Sequence, residues 1–139
     1  MNNLKTLLLY REVFDSNRPL DKPTIEDNKY FLSENNADEI VKYFESGLVL
    51  LEFVSPIEDP YNHQDILPNI IYSDGVYVWD AIIINWVRKY RVRLPAEFID
   101  YFKGLSNIVV DKKKLDQGKL LDLYKTSELI FCDFDKNIV

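Results

Sequence analysis

One cysteine, one histidine and four glycines in 139 residues remove several familiar chemistries at once. Cys132 has no second thiol to pair with, so the chain holds no internal disulfide and suits a reducing cytoplasm. His63 is the only imidazole, and nucleophilic catalysis needs an activating base beside its nucleophile. Without a histidine near it in the sequence, Cys132 reads as a buried, inert thiol. None of the glycines falls in a G-x-G-x-x-G or Walker spacing, so no phosphate-cradling loop is present. Asp59, His63 and Asp65 bring carboxylates and imidazole together, a set that suits several divalent ions. Their spacing matches no metal motif and no second histidine or thiol lies nearby, so the segment reads as a solvated loop with no metal. No other cofactor is indicated. The 23 carboxylates include no pair singled out for glycoside hydrolysis. These absences together predict a chain that is not an enzyme.

Long apolar runs are also missing. Nothing approaches the roughly 18 consecutive apolar residues of a membrane span. The opening MNNLKTLLLYREVFDS has too short an apolar core, and no small-residue cleavage site, for a signal peptide.

What is present is a globular composition, 47% apolar and 14% aromatic, enough for a packed core in one domain over 1–139. The net charge of −6 is uneven: residues 1–66 carry six Lys/Arg against thirteen Asp/Glu, and residues 67–139 carry eleven against ten. An acidic half lacks the basic face that nucleic acid requires and suits a basic protein partner.

The chain is organised around Leu67–Phe102. Asn69–Ser73 and Val76–Trp79 are β-branched and aromatic, and Asp74-Gly75 between them predicts a hairpin closed by a two-residue turn. Asp80 stands at a helix N-cap position. Ile83, Trp86, Val87 and Tyr90 then fall at helical spacing, with Arg88, Lys89 and Arg91 at the negative end of the dipole. Leu94-Pro95 starts another helix, with the stripe Phe98, Ile99, Phe102. Trp79 is assigned to the core, and Tyr72 and Tyr77 are divided between core and surface.

Before this stretch, Leu4–Phe14 favours helix over strand, Asp15–Lys29 is a loop, and Tyr30–Leu32 is an apolar anchor. Ala37–Ser46 is a helix ended by Gly47, and Leu48–Val54 is a strand central in a sheet, stopped by Ser55-Pro56. Ile57–Ile66 is a polar, acidic loop. After it, Lys103-Gly104 ends a helix, Ile108–Val110 is a brief strand, Asp111–Thr126 an amphipathic helix and Glu128–Phe134 a final strand. The basic run Lys112–Lys114 reads as a solvated helix start. The fold class is α+β: a mostly antiparallel sheet of three to five strands against four or five helices.

These residues resemble a family of small bacterial immunity-like proteins, partners of secreted polymorphic toxins. Its pattern is a [ST]DG-x-x-x-W hairpin, a helix ending in K-Y, and an L-P-x-x-F helix. Here these are Ser73-Asp74-Gly75 with Trp79, Lys89-Tyr90, and Leu94-Pro95-Ala96-Glu97-Phe98. The likeness covers about residues 37–102. Asp80 departs from it, standing where proline is expected, as does Asn85 in place of an aromatic. The resemblance implies a non-enzymatic inhibitor that binds a toxin inside the producing cell. On that reading, Glu52, Glu58, Asp59 and Asp65 meet a basic toxin face, with Tyr61, Tyr72 or Tyr77 as aromatic anchors. Asp74, Gly75, Trp79, Asp80, Tyr90, Pro95 and Phe98 serve the fold. The competing expectations are a housekeeping or regulatory interaction domain, and an enzyme with an unrecognised carboxylate site.

Overall fold

A computed structural model describes residues 3–133. Its strands are β1 (Lys5–Leu9), β2 (Leu48–Glu58), β3 (Ile66–Ser73), β4 (Tyr77–Asp80) and β5 (Glu128–Phe131). Its helices are α1 (Glu34–Glu45), α2 (Ala81–Tyr90), α3 (Ala96–Lys103) and α4 (Gln117–Tyr124). The fold is α+β. One sheet runs β2-β3-β4-β1-β5: β2, β3 and β4 form an antiparallel meander, and β1 lies parallel to both of its neighbours.

β1 corrects the helix expected over Leu4–Phe14. The continuous Leu7–Leu9 belongs to a strand flanked by β4 and β5, and strands buried on both faces read as unbroken apolar runs. Short 3₁₀ turns follow at Arg11–Val13 and, within the expected loop, at Glu26–Asn28.

β2 also differs from expectation. It is an edge strand, and it runs through Ser55-Pro56 to Glu58. Proline is tolerated on an edge because its missing N–H faces no neighbour. Between the pairs Phe53↔Asn69 and Ile57↔Leu67 the register slips, so Val54, Ser55 and Pro56 bulge opposite Pro68. The loop beyond is therefore shorter than Ile57–Ile66.

Side chains alternate across β4. Tyr77 and Trp79 enter the larger core with Leu7, Phe44, Trp86 and Phe98, while Val78 joins Leu4, Leu50 and Leu120 beneath α4. The Trp79 indole N–H donates to the Phe44 carbonyl at 3.0 Å, and the two rings lie 4.6 Å apart. The hairpin is thereby fixed to the last turn of α1, whose N-cap is Ser33. Gly47 follows that helix for a packing reason: a Cβ there would lie 2.9 Å from the Trp79 ring and 3.0 Å from Tyr72 Cβ.

The hairpin turn is wider than two residues. Ser73↔Val78 is the last pair, and only Gly75 is left-handed, at φ +95°. Asp74 closes the turn with its side chain, accepting from the Val76 and Tyr77 amides at 2.9 and 2.7 Å. Asp80 caps α2 as expected, accepting from Ile82 and Ile83 N–H. The segment expected to anchor through its side chains does so mainly through its backbone. Tyr30 N–H meets the Tyr90 carbonyl, and Phe31 and Leu32 N–H meet Arg91 O, closing the end of α2. Pro95, extended at φ −55° and ψ 140°, leads into α3, which buries Phe98.

Beyond α3 the chain is less regular than expected. Ile108–Val110 is not a strand; its Val110 amide donates instead to the Ser46 hydroxyl. The helix expected over Asp111–Thr126 is divided into a 3₁₀ turn at Lys112–Lys114 and α4, capped by Asp116. The final strand ends at Phe131, and Phe134 lies outside the described residues.

Replacing Gly47 by alanine is expected to lower stability by about 1–3 kcal/mol through overpacking against Trp79. Gly104→Ala, whose nearest new contact is at 3.5 Å, is expected to change it little. Urea denaturation of the two variants beside the parent checks the contrast.

Candidate functional site

The residues expected to form an acidic, aromatic surface separate in the structure into committed and free groups. Asp59 is fully buried. Its carboxylate accepts from the Trp86 indole at 3.0 and 3.1 Å, from the Asn85 amide at 2.9 Å, and from the backbone N–H of Tyr61 and Asn62 at 2.7 and 3.3 Å. It is not a surface charge. A carboxylate removed from water is stable only when met by donors, and α2 supplies three of these bonds.

Asp65 is largely covered too. Lys89 Nζ lies 2.7 Å from one of its oxygens, and Asn85 donates at 3.1 Å, so these donors hold its carboxyl below the usual range. Tyr61 lies edge-on to Tyr90, with centroids 5.2 Å apart, and its hydroxyl bonds Glu26. Lys29 sits over both rings and pairs with Glu26 at 2.9 Å.

Tyr77 is also inside. Its ring lies 5.1 Å from both Phe98 and Tyr101, and its hydroxyl donates to Glu97 at 3.3 Å, which removes it from the expected aromatic anchors. Tyr72 is half-buried across from Trp79 and near the carboxylates of Glu45 and Glu52; burial first, then those charges, hold its hydroxyl above the ordinary range. Asp74 accepts from the hydroxyls of Tyr43 and Tyr101, tying the turn to α1 and α3. Both phenols are held above their ordinary range, chiefly by burial and then by the Asp74 charge.

A feature not used in reading the sequence is legible there: no lysine or arginine lies between Lys42 and Arg88. Seven carboxylates do, namely Glu45, Glu52, Glu58, Asp59, Asp65, Asp74 and Asp80. Glu45 pairs with Arg88 at 2.7 Å, and Asp65 with Lys89. Asp59, Asp74 and Asp80 are occupied by internal hydrogen bonds. Glu52 and Glu58 remain exposed, and neither has a Lys or Arg nitrogen within 4.0 Å among the described residues. Glu58 instead shares His63 with Asp15, at 3.2 and 3.6 Å.

Between those two glutamates β2 presents Phe53, half-exposed, and Val54, fully exposed, with Ile66 exposed on the strand beside Glu58. The candidate surface is therefore the outer half of β2 and the start of β3. Among the described residues no three His, Cys, Asp or Glu side chains are grouped to hold a metal. No helix among them is long and apolar enough to cross a membrane.

Two variants test the assignment of these carboxylates. Asp59→Ala strands the Trp86 and Asn85 donors in the interior and is expected to cost at least about 2 kcal/mol, read by urea denaturation followed by tryptophan fluorescence. Asp80 behaves differently with pH. Burial pushes its carboxyl up to about 6 against the pull of its two backbone donors. Its favourable contribution is complete below the unfolded-chain value of about 4 and is lost as the pH rises through 6. Asp80→Asn keeps the cap and removes that slope. The difference in stability between variant and parent is expected to grow from pH 4 to 6. Because the residue retains some solvent contact, it should level off near about 1–2 kcal/mol in the variant's favour.

Comparison with models of known protein families, with curated proteins and with solved structures gave no match.

Proposed function

We propose that this chain is a non-catalytic protein-binding domain, an immunity protein that binds and neutralises a cognate bacterial toxin in the cytoplasm of the cell that makes both. The observation that carries the reading is the sorting of charge along Lys42–Arg88. Five of its seven carboxylates are held by lysine, arginine or internal hydrogen-bond donors, and Glu52 and Glu58 stay exposed on one edge of the sheet, Glu58 beside His63 and neither with a lysine or arginine nitrogen within 4.0 Å among the described residues. Exposed charges of one sign raise the rate of encounter with an oppositely charged partner and reject partners of the same sign. The partner favoured by this surface is basic. The hairpin and helix starts that carry the family resemblance, Asp74-Gly75, Trp79 and Pro95, form the frame on which that edge is held. Such an inhibitor acts by occupying its target and needs no reacting groups of its own.

Affinity capture from the native cells, using the tagged full chain at low and high salt, tests this. The expected outcome is one basic polypeptide, released by salt, that is toxic when expressed alone and harmless when co-expressed with this chain. The double reversal Glu52→Lys/Glu58→Lys is expected to weaken capture by at least about tenfold, through both lost attraction and new repulsion. Undiminished protection by that variant would rule out the acidic edge. Turnover in a broad hydrolase screen, abolished by one carboxylate substitution, would replace inhibition with catalysis.

A further inference from the structure

We infer that the free edge of β5 takes an extended segment of a partner polypeptide as a sixth strand, with an apolar side chain beside Leu129 and a cation beside Glu128. This goes beyond the reading above: β5 ends the sheet opposite β2, so the site is separate from Glu52 and Glu58.

Pairing with β1 divides the backbone groups of β5. Glu128 and Cys132 N–H donate to the Leu4 and Leu9 carbonyls, at 2.9 and 2.8 Å, and Ile130 pairs with Leu7 between them. Backbone groups alternate in direction along a strand, so the amides and carbonyls of Leu129 and Phe131 point away from β1. β5 has no neighbouring strand on that side, and no other hydrogen bond among the described residues reaches these groups. A cleft of about 500 Å³ is lined by the consecutive residues Leu129–Asp133 together with Asp21, Lys22, Pro23 and Glu97.

The two edges of the sheet are treated differently. β2 carries Pro56, which has no N–H to offer, and a bulge that breaks the ladder's spacing. The Gln117 side-chain amide from α4 also donates to the Val49 and Leu50 carbonyls, at 3.1 and 3.3 Å. Such devices keep a further strand away. β5 has none of them. Its residues Glu128–Phe131 include no proline or lysine, and the extra residue in its ladder, Leu8, belongs to β1. A row of unpaired amides and carbonyls is matched by another extended backbone, which makes the occupant a polypeptide strand.

The side chains specify which strand. Leu129 is exposed and shares one face with Thr6. Glu128 is exposed on the other face beside Lys5, which bonds Glu97 at 2.9 Å. That hydrogen bond, with the charges of Glu97 and Glu128, holds the Lys5 ammonium above its ordinary range. One lysine thus stands between two carboxylates, and Glu128 has no lysine or arginine nitrogen within 4.0 Å among the described residues. Elsewhere along the cleft, Lys22 lies 4.0 Å from Asp21, Arg93 donates to the Asp133 carbonyl, and the Asp133 carboxylate accepts from Ala96 N–H at 3.4 Å. The surplus is negative and favours a cation on the incoming strand. A second copy of this chain, paired antiparallel about Ile130, would bring another Glu128 onto the Lys5 face and is disfavoured.

The test first reads the backbone of the free chain. Amide hydrogen exchange followed by NMR is expected to be fast at Leu129 and Phe131 and slow at Ile130 and Cys132. Protection of Leu129 and Phe131 in the free chain, constant or growing with concentration, overturns the inference, because the edge is then covered by the chain itself or by a second copy. A photo-cross-linking amino acid is then placed at the exposed position 129 of the full chain in the cells that produce it, with position 107, on the loop after α3, as the control. The expected result is a cross-link from 129, and not from 107, to one other polypeptide. Leu129→Pro removes the outward N–H and spares the ladder to β1, since proline is tolerated on an edge strand. It is expected to keep the parent's urea midpoint and to weaken affinity capture of that polypeptide by about tenfold. Leu129→Ala, which keeps the amide, is expected to weaken capture less, and Glu128→Lys, on an exposed side chain, is expected to weaken it without touching the backbone.

No cross-link from 129, an equal one from 107, or capture undiminished in both Leu129→Pro and Glu128→Lys overturns the inference. Equal loss in Leu129→Ala and Leu129→Pro would also do so, since side-chain contact would then replace strand addition. These outcomes separate from failure of the wider reading. A toxin that is captured but never cross-linked from 129 leaves toxin binding standing without this edge. A cross-linked partner without toxicity, sensitive to Leu129→Pro, leaves the edge standing whatever becomes of the immunity reading.

Discussion

A carboxylate withdrawn from water has to be met by donors, and the connection between β2 and β3 is built around meeting that of Asp59. Trp86 and Asn85 reach it from α2, and the loop's own amides at Tyr61 and Asn62 turn back onto it. The loop therefore cannot move independently of α2, and α2 is joined directly to β4 through the Asp80 cap. At the other end of β3 the Asp74 carboxylate does the same for the hairpin turn, receiving hydroxyls from α1 and α3. The meander is thus held at both ends by aspartates that accept from aromatic side chains on helices. Between those ends Trp79 fastens its middle to α1. The bulged outer part of β2 has no comparable restraint on its solvent side.

This arrangement explains how a strongly acidic segment presents so few free charges. Most of its carboxylates serve as acceptors that position loops, turns and helix starts. An acceptor of this kind contributes through several directed hydrogen bonds, whereas an exposed ion pair contributes little. The pairs Glu45–Arg88 and Asp65–Lys89 neutralise charge near the sheet without adding much stability. Glu52 falls outside both arrangements and Glu58 meets only His63; both sit on the edge strand, with no lysine or arginine nitrogen within 4.0 Å among the described residues.

How much of this was legible in the sequence follows the range of the interactions. The helix starts at Asp80 and Pro95, the hairpin at Asp74-Gly75 and the buried stripe of α2 depend on neighbours within one turn of chain, and the sequence pattern places them, whereas α1 begins at Glu34, ahead of the expected Ala37, because Ser33 supplies its cap. β1 was obscured because its partners, Tyr77 and Glu128, are remote, and a leucine run buried on both faces has no period to read. Pro56 suggested a strand end because nothing local says that β2 is an edge. Asp59 looked like a surface charge because its indole donor lies 27 residues further on. Tyr77 was ambiguous for a related reason: alternation shows that one face is buried, but α3, which covers it, must be known before the face can be chosen. The division of the expected helix at Asp111–Thr126 is marked only by Asp116, a cap residue inside an otherwise helical pattern.

The absence of lysine and arginine between Lys42 and Arg88 has a consequence of another kind. A protease that cuts after those residues finds no cleavage site in β2, β3, β4 or the first two turns of α2, whether the chain is folded or not. Trypsin releases the whole meander, with the bulge and both aspartate hubs, as one acidic piece. Peptide mapping with that enzyme sees the surface most relevant to binding as a single fragment, whereas an enzyme specific for glutamate cuts on either side of the bulge, after Glu52 and after Glu58.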